Sequence, residues 1–182
     1  IWALGYTVAY PPDDSLIGLV TRLFKQCLLQ APSFTSSRAW AFTIIGVIHY
    51  LKRFGGDPEA RQLLEELSRR LCRQFSEYAT AEWFWLEEIV TYDNARIPQA
   101  LIAAGRYLHD EQILQTGLGA LDWLISIQTD PGGGQLSLVG NKGWYRRGGQ
   151  KARFDQQPLD AAALVDACAQ AYLATGEPRW QI

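Results

Sequence analysis

Two stretches of the chain gather side chains that could do chemistry. Between 81 and 100 stand Glu82, Trp83, Trp85, Glu87, Glu88, Tyr92, Asp93, Asn94 and Arg96. Between 143 and 160 stand Trp144, Tyr145, Arg147, Asp155, Gln156, Gln157 and Asp160. Cleaving a glycosidic bond needs two carboxyls, one as acid and one as base or nucleophile. Asp93 and Asp155 are the leading candidates, with Glu88 beside them. Asp93 lies five residues before Pro98 and Asp155 three before Pro158, so each leads into a helix at an equivalent place. The competing role is capping, because Asp before a helix commonly satisfies its free amides. Trp83, Trp85, Tyr92, Trp144 and Tyr145 offer faces on which the C–H side of a sugar ring can pack. Asn94, Arg96, Arg147, Gln156 and Gln157 offer hydrogen bonds to hydroxyls. Against this, the aromatics could seal the top of a core, and Arg96 could form a structural ion pair with Glu88 or Asp93.

The elements that must hold these residues are helices of two alternating kinds. Segments 1–10, 39–51, 98–108 and 159–173 are almost wholly apolar, the pattern of helices buried on every side. Segments 16–28, 60–75 and 113–128 carry one apolar stripe and one wet face. Their stripes are Leu16, Ile17, Val20, Leu23, Phe24, Cys27; then Leu63, Leu64, Leu67, Leu71, Phe75; then Ile113, Leu114, Gly117, Leu121, Leu124. This predicts an inner row of helices wrapped by an outer row. Inner-to-outer turns are short. Outer-to-inner loops are long, at 30–37, 76–97 and 129–157, and long loops in a compact domain are usually functional. In such an arrangement all the long loops emerge at one mouth.

The pattern repeats. Tyr50-Leu51, Tyr107-Leu108 and Tyr172-Leu173 each end an inner helix and precede a polar turn. Asp57-Pro58 and Glu177-Pro178 mark helix starts, and Gly55 and Gly176 mark stops. Seven helices and the start of an eighth are expected, about four hairpins whose stacking buries a common core.

At 182 residues, the chain suits a single domain, 1–182. A net charge of −2 and the lack of a basic run argue against nucleic-acid binding. No segment has the apolar length to span a bilayer, and no signal peptide is visible. Cys27, Cys72 and Cys168 match no zinc spacing and read as buried free thiols, which suits a reducing, cytoplasmic setting. No metal-ligand or cofactor pattern stands out. His49 and His109 fall at inner-helix ends, where a structural role is the simpler reading. Seven of the 16 glycines lie between 132 and 149, pointing to a flap in the third loop. The chain starts at Ile1, contains no methionine, and breaks off within a helical pattern. It reads as a piece of a longer polypeptide.

The run Trp83-x-Trp85-x-Glu87-Glu88, then Thr91-Tyr92-Asp93-Asn94-Ala95-Arg96-x-Pro98-x-Ala100, resembles a stretch in α/α-toroid domains associated with bacterial glycosyltransferases. The loop Gly143-Trp144-Tyr145-x-Arg147-Gly148-Gly149, continued by Ala152-x-Phe154-Asp155-Gln156-Gln157-Pro158-x-Asp160-Ala161, is similar to the matching loop of the same group. The resemblance implies an all-α, six-hairpin glycosidase-like toroid, here an incomplete ring; an open α-solenoid is the alternative. It also implies a carbohydrate ligand and an attached or associated glycosyltransferase domain. Three functions follow: glycoside processing by paired carboxylates, non-catalytic sugar binding beside a transferase, or a protein-interaction helical repeat. The aromatic and polar mouth disfavours the last.

Overall fold

The computed structural model describes residues 1–181, and their architecture is helical. Helices α1 (Trp2–Ala9), α2 (Ile17–Leu28), α3 (Ser37–Arg53), α4 (Pro58–Tyr78), α5 (Arg96–Leu108), α6 (Glu111–Ile127) and α7 (Pro158–Thr175) follow one another along the chain. Single 3-10 turns occupy Asp14–Leu16, Ala31–Ser33 and Pro178–Trp180. The strands β1 (Ile89–Val90) and β2 (Tyr145–Arg146) form one antiparallel pair, with Ile89 opposite Arg146 and Val90 opposite Tyr145. Among the described residues, no helix is long and apolar enough to cross a membrane.

Local chemistry sets the helix ends. The Asp57 carboxylate accepts the Ala60 amide at 3.0 Å, with Pro58 in the first helical position, so α4 starts where its sequence allows. Asp110 caps α6 by accepting from the Ile113 amide at 3.1 Å. Left-handed residues end α5 at His109 (φ 56°) and α7 at Gly176 (φ 71°).

The two rows expected from the alternation are present. Helices α1, α3, α5 and α7 pack in succession, and α2, α4 and α6 each lie against the inner helix before them. The fully buried side chains come from both rows, among them Phe24, Ile44, Leu64, Leu71, Leu101, Ile102 and Leu121. Glycine sets the spacing at the first inner crossing. A Cβ on Gly5 would fall 2.0 Å from the Gly46 carbonyl oxygen, so α1 and α3 meet backbone against backbone.

All-round burial holds only for the middle of the inner row. Helix α7 leaves Val165 55% and Leu173 56% exposed, and α1 leaves Tyr6 51% exposed. Each of these two helices has an inner neighbour on one flank only. The stripe of α2 is also rotated from expectation. It buries Val20, Phe24 and Leu28, while Leu16 and Leu23 face solvent. The eighth helix is represented by the turn Pro178–Trp180, whose Arg179 reaches back to Asp122 of α6 at 3.3 Å. The three cysteines are free thiols.

Candidate functional site

The N-terminal turns of the inner helices converge at one end of the fold. Arg38, in the first turn of α3, is the centre of the convergence and is 8% exposed. Its Nε donates to the Tyr92 carbonyl at 2.8 Å. Its Nη1 donates to both Glu87 carboxylate oxygens, at 2.9 and 3.2 Å, and its Nη2 donates to Asn94 Oδ1 at 2.8 Å. Ser37 adds a hydroxyl bond to Glu87 at 2.9 Å. Asn94 Oδ1 also accepts the Thr91 amide, and its Nδ2 donates to the Thr91 carbonyl, so this side chain closes the turn leading into α5.

Behind Arg38 lies a buried carboxylate pair. The Asp93 amide donates to Asp160 Oδ1 at 2.6 Å, joining the approach to α5 to the first turn of α7. Asp93 Oδ1 lies 3.3 Å from Arg96 Nε, off the hydrogen-bonding direction, and neither atom has another partner. Asp160 Oδ2 is likewise without a partner. Burial pushes both carboxyls above the usual range. Arg96 draws Asp93 back only in part, as the Asp93 amide does for Asp160. Arg96 itself donates to Gln99 at 2.8 Å and to Asp166 at 2.6 Å, with its guanidinium 4.7 Å from the centre of the Trp2 ring. Residues from α1, α3, α5 and α7 thus meet here.

The two long loops 76–97 and 129–157 meet at this same end. Besides the β1–β2 pair, Arg147 donates to the Tyr78 carbonyl at 3.1 Å, to Thr80 Oγ1 at 3.0 Å and to Glu88 at 3.3 Å. Its backbone amide donates to the Glu88 carbonyl. Glu88 and Arg147 therefore clasp the loops together. Gln156 does similar work within the third loop, accepting from the Leu138 amide and donating to the Arg153 carbonyl. Gln157 occupies the cap position of α7 without a side-chain bond to it.

The aromatic residues divide. Trp83 and Trp85 are interior, at 4% and 0% exposure, where they seal the core. Trp83 donates to the Glu87 carbonyl at 2.8 Å, and Trp85 stacks against Trp123. Tyr145 packs edge-on against Trp83. Tyr92 and Trp144 differ: Tyr92 is 48% exposed, Trp144 is half-buried, and their ring centres are 6.3 Å apart at 43°. Arg38 lies 5.3 Å from the Tyr92 ring centre.

Asp155 is exposed and holds its loop through its carbonyl, which accepts the Asn141 amide at 3.2 Å. The acidic neighbour of Asp93 is Asp160. Capping describes neither Asp93 nor Asp155, since α5 and α7 start without a side-chain cap bond. Three non-glycine residues of these loops, Asp93 (φ 49°), Trp144 (φ 58°) and Asp155 (φ 60°), hold left-handed backbone. That conformation costs free energy and clusters at functional sites in proteins.

No family model, curated protein or solved structure matches this chain. Function must therefore be argued from the site. Arg38 and Asp166 are residues that the sequence did not single out, and Glu87 and Asp160 stood among the mouth carboxyls without being chosen for the acid–base pair. The signal for Arg38 was its position: a single cation at the threshold of an apolar helix has to find buried partners. Among the described residues, no group of three or more His, Cys, Asp and Glu is placed to hold a metal ion.

Proposed function

We propose that this chain is part of an α/α-toroid-like domain that binds carbohydrate at the mouth formed by the loops 76–97 and 129–157. The observation that carries this reading is the pair formed by the exposed Tyr92 ring and the half-buried Trp144 ring, set beside a buried network centred on Arg38. Two tilted rings offer an apolar platform for the C–H faces of successive sugar units. The wrapped succession of inner and outer helices supports the toroid half of the proposal. The sequence resemblance supports an attached or associated glycosyltransferase domain as partner.

Binding is favoured over turnover. Asp93 and Asp160 are 3% and 5% exposed, and Glu88 is engaged by Arg147, so these carboxyls do not flank a bound bond as the loops stand. One observation favours a second, catalytic reading. Asp93 and Asp160, joined through the Asp93 amide and both held above their usual range by burial, retain protons more readily than free carboxyls, as a general acid must. That reading requires the loops to part and admit substrate.

Saturation-transfer NMR with gluco-, manno- and N-acetylglucosaminyl oligosaccharides tests the proposal. Binding that is lost in Tyr92→Ala and Trp144→Ala, with the helical spectrum retained, supports it. Binding indifferent to both substitutions, or no binding across the panel, sinks it. Hydrolysis of a bound oligosaccharide that disappears in Asp160→Asn would move the assignment to the catalytic reading.

A further inference from the structure

A second concavity runs along the inner row from Gln99, in the first turn of α5, to His109 at its end. It spans α3, α5 and α7 and encloses about 510 Å³, within the range of small-molecule sites. Its polar lining is His49, Lys52, Gln99, Arg106, His109 and Gln170. Ile45, Ile48, Ala103 and Leu173 supply its apolar wall, and the Tyr107 ring completes it. No carboxylate is among these residues. Neither Lys52 nor Arg106 has an ion-pair partner among the described residues. Lys52 donates to the Tyr10 hydroxyl at 3.0 Å, a neutral partner that leaves its charge uncompensated. The buried His49 Nδ1 has no hydrogen-bond partner. Tyr6 packs on the same imidazole, with ring centres 5.2 Å apart.

We propose that this concavity is a binding site for a small ring-bearing anion, with Lys52 and Arg106 meeting its phosphate or carboxylate and Gln99 and Gln170 meeting its hydroxyls. Two whole positive charges with no opposing carboxylate set the sign of the field. The partial negative charges at the helix C-termini oppose it, but they fade within a turn. Some of those carbonyls are already taken: the Phe54 amide bonds the Tyr50 carbonyl and the Asp110 amide bonds the Gly105 carbonyl. The apolar wall and the Tyr107 ring give a planar or cyclic body a face to pack on, and the two amides fix its orientation. The site shares no lining residue with the Tyr92–Trp144 platform and touches the network behind it only where Arg96 donates to Gln99, so its charged end is tested separately from the mouth.

Calorimetric titration with glucose 1-phosphate, glucuronate, inorganic phosphate and uncharged glucose tests it. Lys52 and Arg106 are exposed, so Lys52→Ala/Arg106→Ala leaves the fold intact, checked by circular dichroism. The expected result is that at least one of the two sugar anions binds more tightly than glucose. That binding weakens by about tenfold or more in the double variant and is unchanged in Tyr92→Ala. Selectivity between glucose 1-phosphate and glucuronate identifies the anionic group. The proposal is overturned if neither sugar anion binds up to about 10 mM, if glucose binds as well as both, or if binding survives the double substitution.

Discussion

The Asp93 amide donates to the Asp160 carboxylate across 2.6 Å, bonding the approach to α5 to the first turn of α7. Burial raises the cost of ionising both carboxyls, and a like charge adds to it in each case: Asp166 for Asp93, and Asp93 for Asp160. A carboxyl whose folded pKa is raised holds its proton more tightly when folded. Its stabilisation is complete below the unfolded value near 3.8 and is lost as pH rises through the raised folded value. Asn at 160 keeps an oxygen for the Asp93 amide and removes this titration. Urea unfolding of Asp160→Asn and wild type, between about pH 4 and pH 7, should show the stability difference moving toward the variant as pH rises. Parallel profiles would contradict the assigned burial effect.

His49 imposes the opposite slope. Burial, with Lys52 second, lowers its imidazole to about 4 from an unfolded value of 6.5. The stability tied to its neutral form is present above 6.5 and is lost as pH falls through about 4. An NMR titration should place the His49 midpoint near 4, and His49→Gln should flatten the acid limb of the stability profile. A midpoint at the ordinary histidine value would refute the expectation.

Arg38 ties the start of α3 to three residues of the 76–97 loop through one guanidinium. Arg38→Ala leaves Glu87 and Asn94 facing a vacated buried site, and should cost about 3–5 kcal/mol by chemical denaturation. Arg38→Lys should recover little of it, because an ammonium cannot reproduce the planar fork that reaches Tyr92, Glu87 and Asn94 together. A loss below about 1 kcal/mol would mean solvent replaces these bonds cheaply.

Gly5→Ala tests the crossing of α1 and α3. The added carbon has no room at 2.0 Å from a backbone oxygen, so the helices must separate. A loss of about 1–3 kcal/mol is expected in thermal unfolding, whereas Gly18→Ala, with nothing near its Cβ, should be neutral or stabilising.

Much of the helical layout was legible in the sequence because burial imposes a period that apolar residues must follow. The expected start and end of α2 agree closely with the helix and its leading turn, as do the glycine at the end of α7 and the proline start of α4, whereas Pro178 heads only a single 3-10 turn. The orientation of α2 was harder to read. Leucines at 16, 19, 23 and 28 fit more than one stripe, and only the packing partner decides which is buried. Within the site, Asp93 was readable as a key position, but its neighbour was not. Asp155 and Asp160 both precede or open α7, and a five-residue difference sends one to solvent and the other inward. Arg38 and Glu87, 49 residues apart, are joined by tertiary packing that neither local window contains.

The two-rung ladder between Ile89–Val90 and Tyr145–Arg146 has a mechanical consequence. Tyr92 lies two residues past one rail and Trp144 directly before the other, so a load on either ring is transmitted to the same short hinge plate. Peeling one loop away unzips the other's only strand among the described residues. The two flaps therefore behave as a single latch, and the spacing between the rings is set by a register of backbone pairs.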